Sequence, residues 1–174
     1  MKITLASSRK FLIPLIVLAL LVFLGLSLGH KDQAPDVTFT TLQGKVVLVN
    51  FWATDCPGCI AEMPELIDTY KQYRDRGFEV MAVAMSYDPP SHVLNYATKN
   101  NLPFPVMHDG YGKVAASFND VSLTPTAFIV DQQGRIISHV VGELDFNALH
   151  ALLDQKLASA SGAAKQPATA GKAS

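Results

Sequence analysis

Beyond residue 30 the chain alternates short apolar runs with stretches whose apolar positions recur at helical spacing, and this alternation predicts the elements. Residues 37–42 alternate as a short strand, and Gly44-Lys45 makes a turn. Residues 46–53 form a near-continuous apolar run suited to a central strand covered on both faces. Residues 57–76 carry a helical period, with Ile60, Met63, Ile67 and Tyr70 on one side and Glu65, Asp68, Lys71, Gln72 and Asp75 elsewhere, and Gly77 stops it. Residues 78–85 read as a second buried strand, in which Met81 and Met85 are core positions. Pro89-Pro90 opens a helix reaching Asn101, residues 103–107 form a short strand and residues 112–118 a short helix. Residues 126–131 and 135–141 are strands joined by a hairpin-type turn, Gln132-Gln133-Gly134, and residues 146–157 form a closing amphipathic helix. From residue 159 the chain is Ala, Ser, Gly, Thr, Pro and Lys without an apolar period, so a disordered tail is expected over 159–174. No internal repeat is visible.

Parallel strands linked by helices, then an antiparallel hairpin and a last helix, describe an α/β domain with a central mixed sheet flanked by helices. Sites in such sheets lie beyond the carboxyl ends of the parallel strands. Here the chain runs from Ala53 almost directly into Cys56.

The N-terminal pattern is of another kind. Residues 11–28 are apolar and uncharged, and at ~1.5 Å rise per residue they reach roughly 27 Å, close to a bilayer's hydrocarbon thickness. Lys2, Arg9 and Lys10 precede the run, while Lys31, Asp32 and Asp36 follow it, so the positive-inside bias keeps residues 1–10 in the cytoplasm and sends the remainder across. Pro14 falls in the first turn, where it is tolerated. The organisation read from this is a transmembrane signal-anchor at 11–28, a linker at 29–35, a domain at 36–158 and the tail. Ser27 and Gly29 leave an alternative, a signal peptide cleaved near Gly29 to release a secreted protein. The run is longer than the roughly 7–15 residues of a usual signal core, which favours the anchor.

Composition narrows the function classes. The 174 residues, 49% of them apolar, allow one ordinary globular domain. The formal charge is -1, but residues 30–160 hold nine basic against fifteen acidic side chains, which makes the domain a poor nucleic-acid binder. The two cysteines lie three positions apart, too close for a bridge to add much fold stability.

Their setting points to chemistry instead. Cys56-Pro57-Gly58-Cys59 follows a buried strand and opens a helix, placing the first sulfur among the free N–H groups and the positive end of the helix dipole, where thiolate is favoured. Pro57 suits the first helical turn. Cys56 is then the exposed nucleophile, and Cys59, one turn on and more buried, attacks the mixed disulfide that results. A zinc site would need a second ligand pair, and none follows. His30, His92, His108, His139 and His150 are scattered without ligand spacing.

The stretch Val-Val-Leu-Val-Asn-Phe-Trp-Ala-Thr-Asp-Cys-Pro-Gly-Cys-Ile-Ala-Glu-Met-Pro at 46–64, with Thr-Pro-Thr-Ala-Phe at 124–128, resembles the thioredoxin superfamily and, within it, the TlpA/ResA-like membrane-anchored thiol-disulfide oxidoreductases. The likeness covers roughly residues 35–158. It implies a thioredoxin-like fold, a helix kinked at Pro64, and a cis peptide at Thr124-Pro125 beside the sulfurs, where Thr124 would dock an extended substrate by its backbone. Pro57 is expected to complete the substrate side, and with it Trp52, packed beside the sulfurs unless it is plain core. Glu62, three residues after Cys59, matches a family glutamate that holds or removes the proton of the buried thiol, provided burial raises its pKa. Its plainer role would be to complement the helix dipole. Cytosolic thioredoxins instead use an aspartate on the central strand, where this chain has Asn50. The family usually has an aromatic residue before the first cysteine. Here stands Asp55, which would oppose thiolate formation or cap the helix.

The resemblance implies a periplasm-facing, inner-membrane-anchored protein-disulfide reductase of exported proteins, apocytochrome c cysteines among them. Its redox-active Cys56–Cys59 disulfide needs no further cofactor, and electrons arrive through a membrane thiol relay, since no nicotinamide or flavin fingerprint is present. Two rivals remain at this level. One is a Cu(I)-delivery domain, since soft thiolates select Cu(I), although no third ligand stands out. The other is a thiol peroxidase, for which the expected Thr-x-x-Cys is absent, Thr54 lying two before Cys56.

Overall fold

The apolar positions of the central strand sort onto two faces, and the rest of the domain is laid over them. The computed structural model describes Leu42 and residues 44–163, within the unit Ala34–Ser174. The expected anchor at 11–28, the linker at 29–35, the strand at 37–42 except Leu42, and residues 164–174 of the tail lie outside the described residues. Leu42 itself sits in a turn, its carbonyl accepting from the Lys45 N–H at 3.1 Å, with Gly44 at φ +81° as that turn requires. Among the described residues no helix is long and apolar enough to cross a membrane.

Five strands form one sheet in the order β3-β2-β1-β4-β5. They are β1 (Val46–Trp52), β2 (Phe78–Ala84), β3 (Val106–His108), β4 (Thr126–Val130) and β5 (Ile136–Val141). β1 pairs in parallel with β2 and β2 with β3, whereas β4 runs antiparallel to β1 and β5 antiparallel to β4. The predicted mixed sheet is present. The strand expected at 103–107 is displaced because Pro103 and Pro105 have no N–H to give a ladder. Pro105 contributes only its carbonyl, to the Ala82 N–H at 3.0 Å, and pairing begins at Val106.

Successive side chains of β1 point to opposite faces. Val46, Leu48 and Trp52 enter one core with Cys56, Cys59, Met63, Leu66, Tyr73 and Leu153, while Val47, Val49 and Phe51 enter the other with Val114, Phe118 and Phe128. The helices responsible are α1 (Pro57–Tyr73), α2 (Pro90–Lys99), α3 (Lys113–Ser117) and α4 (Phe146–Ala163). α1 tightens into a 3-10 turn at Arg74–Arg76, and Gly77, at φ +99°, reverses the chain into β2. α4 continues past the predicted stop at residue 157 to Ala163, into the stretch expected as tail.

This topology brings three loops to one end of the sheet. Cys56 follows β1, Asp88 follows β2, and Thr124-Pro125 leads into β4, whose Thr126 pairs with Phe51 near the end of β1.

Candidate active site

Cys56 is the residue before α1 and caps it: its Sγ accepts the Cys59 backbone N–H at 3.2 Å. The two cysteines are joined in a disulfide with their Cα atoms 5.3 Å apart. The same N–H that meets the bonded sulfur would meet the thiolate after reduction, and together with the helix dipole it stabilises the anion. Cys59 has no exposed surface and Cys56 keeps 8% of its own. The expected order of accessibility is present, but Cys56 is far less exposed than the sequence suggested, because the Cys56 side chain turns inward to close the helix end. Pro57 is exposed and occupies the first helical position.

The loop carrying Cys56 is fixed from the second strand. Asp88, 2% exposed, accepts the Thr54 N–H at 2.6 Å and the Thr54 hydroxyl at 2.7 Å. Asp55 is exposed and does not cap the helix, since Cys56 fills that position.

Glu62 is buried on the face of α1 that covers β1. Asn50, whose parity along the strand matches Leu48 and Trp52, points to the same side and donates Nδ2–H to Glu62 Oε1 at 3.2 Å. Leu144 donates its backbone N–H to Glu62 Oε2 at 3.1 Å. Burial pushes the Glu62 pKa above its ordinary value, outweighing these two hydrogen bonds, and the nearby Glu143 charge adds to the rise. Asn50 Oδ1 is buried without a partner. Turning the amide over would present this oxygen to a protonated Glu62, so the pair suits a carboxyl that gains and loses a proton. The condition set for Glu62 as a proton holder is therefore met. Asn50, read in the sequence only as a residue unable to titrate, emerges as its partner.

Thr124-Pro125 is a cis peptide, as expected. The Pro125 carbonyl accepts the Gly142 N–H at 2.8 Å, and the Thr124 hydroxyl lies 3.3 Å from that of Tyr87. Trp52 takes the packed alternative and not the substrate-facing one: it is fully buried, its ring centroid 5.3 Å from that of Tyr96, and it offers a partner no surface. Its bulk supports the sulfurs from within the same core. Three of the histidines have structural partners: His108 Nε2 lies 2.8 Å from the Asp88 carbonyl, His139 stacks on Phe128, and His150 Nε2 lies 2.8 Å from the Thr69 hydroxyl.

One neighbour of the cysteines carried no sequence signal. Glu143, in the loop between β5 and α4, lies against Gly58, where an added methyl group would come within 2.9 Å of Glu143 Oε1. Only the fold brings these residues together.

Comparison with known proteins agrees with this geometry. Residues 27–153 match the Redoxin family. The chain is 36% identical over 124 residues to the thiol-disulfide oxidoreductase ResA of Oceanobacillus iheyensis, covering 71% of this chain and 62% of that protein. It is 31% identical over 114 residues to ResA of Bacillus subtilis, covering 66% and 63%. The chain thus spans somewhat under two thirds of the length of these relatives. A thioredoxin candidate from Neisseria meningitidis, solved in solution, superposes with a TM-score of 0.65 at 39% identity, over 70% of this chain and 80% of that one. A thioredoxin-family thiol:disulfide interchange protein from Chlorobium tepidum gives 0.63 at 27% identity, over 68% and 84%. With the cysteine pair at a helix start, the buried glutamate and the cis-proline in place, the chain belongs to the Redoxin family, as a ResA/TlpA-like member of the thioredoxin superfamily.

Proposed function

We propose that this protein is an extracytoplasmic thiol-disulfide oxidoreductase that reduces disulfides of exported proteins, apocytochrome c cysteines before haem attachment being the substrate class. In this reading residues 11–28 anchor it in the inner membrane with the domain in the periplasm, and a membrane thiol relay returns electrons to it. The observation that carries the redox reading is the Cys56–Cys59 pair at the start of α1 with Glu62 buried on the same helix.

The reaction balances as two exchanges. The Cys56 thiolate attacks one sulfur of the substrate disulfide, a mixed disulfide forms, and the released substrate thiolate takes a proton from solvent. Cys59 then gives its proton to the Glu62 carboxylate and attacks Cys56 Sγ. The Cys56–Cys59 bond forms, the second substrate sulfur leaves as a thiolate and is protonated, and Glu62 later returns its proton to solvent. Two electrons pass from the cysteine pair to the substrate. The cis-proline loop contributes backbone groups for docking an extended segment of the partner.

Insulin reduction by the full chain, with dithiothreitol as the electron source, tests this. Wild type should accelerate turnover, Cys56→Ser should abolish it, and Cys59→Ser should accumulate a mixed disulfide. Turnover that survives Cys56→Ser would overturn the reading.

A further inference from the structure

Gly142, Glu143 and Leu144 are consecutive, and each meets a different part of the redox centre. The Gly142 N–H donates to the Pro125 carbonyl at 2.8 Å, and the Leu144 N–H donates to Glu62 at 3.1 Å. Between them, the Glu143 carboxylate stands on Gly58, in the dipeptide that separates the two sulfurs. Both ends of the segment are tied down. Gly142, at φ +100°, turns the chain out of β5, and Asp145 starts α4 by accepting the Ala148 N–H at 3.1 Å. Glu143 is therefore held over the cysteine turn by its backbone, although its side chain is exposed.

We propose that Glu143 is a positioning residue of the exchange centre: a carboxylate fixed over Gly58 that acts on the cysteine pair and on Glu62, and so sets how readily the pair is reduced. This rests on the exchange reading above and deepens it. A negative charge at that place disfavours every other anion nearby, and two anions matter here, the Cys56 thiolate and the Glu62 carboxylate. Disfavouring the thiolate raises the free energy of the reduced form relative to the disulfide, which makes the centre a stronger electron donor. Acidic groups also stand on the segments that frame the centre, Asp55 directly before Cys56, Asp88 bonded to Thr54, and Asp145 at the start of α4. The contact also explains the glycine. Ala at position 58 would meet only the movable end of Glu143, so it would push the carboxylate aside without breaking the helix.

Glutathione buffers at pH 7 supply the test. The full chain and its variants are equilibrated, the oxidised fraction is read by thiol trapping, and the alkylation rate of reduced Cys56 is followed beside it. Glu143→Gln keeps the bulk over Gly58 and removes the charge. It should lower the oxidised fraction, changing the exchange equilibrium by about two- to fivefold, the range of one partly exposed charge pair, and should speed alkylation. Both effects should shrink at about 1 M salt, where the screening length is roughly 3 Å. Glu143→Asp should stay near wild type. Gly58→Ala should act like Glu143→Gln, and the double variant should add nothing further. A Glu143→Gln protein indistinguishable from wild type, or changed equally at all salt concentrations, would overturn the proposal. Failure of the wild type to reduce insulin sinks the exchange reading instead, because the glutathione equilibrium is measured without a protein substrate.

Discussion

Glu62 and Leu144 stand 82 positions apart in the chain, yet the Leu144 N–H donates to Glu62 Oε2 at 3.1 Å. That bond ties the helix bearing the cysteines to the segment leaving the edge strand, and it fixes the carboxyl group in a buried place. Charging Glu62 in the folded protein is therefore costlier than charging it in the unfolded chain.

The consequence separates stability from activity. A carboxyl with a raised native pKa keeps its proton to higher pH when folded, so stability falls as pH rises from the ordinary carboxylate range through the raised value. Glu62→Gln, which leaves an oxygen for Leu144 and an amide for a turned-over Asn50, removes that loss. Its oxidised form should melt higher than wild type at pH 7 and converge with it below about pH 4. The resolving attack of Cys59 should slow on the order of 10²-fold, the usual contribution of a positioned base. Thermal scans across pH and single-turnover quenching check the two halves.

Trp52 is the only tryptophan of the chain and shares a core with both cysteines. A disulfide quenches indole emission more than two thiols do. Reduction by dithiothreitol should therefore raise the fluorescence at unchanged emission wavelength, since the ring stays buried. The same change in Cys56→Ser would show that the signal does not come from the pair.

Asp88 holds the cysteine loop through Thr54 with two short hydrogen bonds. Asp88→Ala leaves the Thr54 N–H and hydroxyl without their acceptor and should cost about 1–3 kcal/mol of stability. Activity should fall by more than stability explains, because the turn before Cys56 loses its anchor. Urea unfolding and insulin turnover measured on one preparation compare the two losses.

At the hairpin, burial pushes the Asp131 pKa up, but the Arg135 guanidinium and the backbone N–H groups of Arg135 and Gln133 outweigh it and hold the carboxyl below its usual range. The resulting stability is present above about pH 4 and is lost as pH falls through the lowered value. Asp131→Asn should cost about 1–3 kcal/mol at pH 7, and the deficit should narrow in acid, as urea midpoints at a series of pH values would show.

How much of this was legible beforehand follows from where each signal resides. β1, β2 and α1 announce themselves through local periodicity, and the cysteine pair, Glu62 and Pro125 lie in contiguous motifs. Glu143 was hidden because its partners come from an element distant along the chain, which only the pairing of β1 with β4 and of β4 with β5 brings level, and the Asn50–Glu62 bond because it depends on how α1 lies over β1. The near burial of Cys56 escaped notice because capping its own helix turns the sulfur inward. Trp52 packs and does not dock because strand parity sends it into the core that also holds the cysteines. The short third strand was displaced because Phe104, Val106 and Met107 carry strand composition while Pro103 and Pro105 have no N–H for its ladder.

The sheet order leaves β1 with neighbours on both sides and β5 with one. Amides of β1 should be the last to exchange with deuterated solvent and those of β5 among the first, since a flank strand opens without disturbing the rest. The sulfurs thus follow directly on a strand paired along both sides, while the lip that carries Glu143 leaves an edge strand. The two bonds that bracket Glu143, to Pro125 and to Glu62, are therefore what couples this outer strand to the cysteine turn.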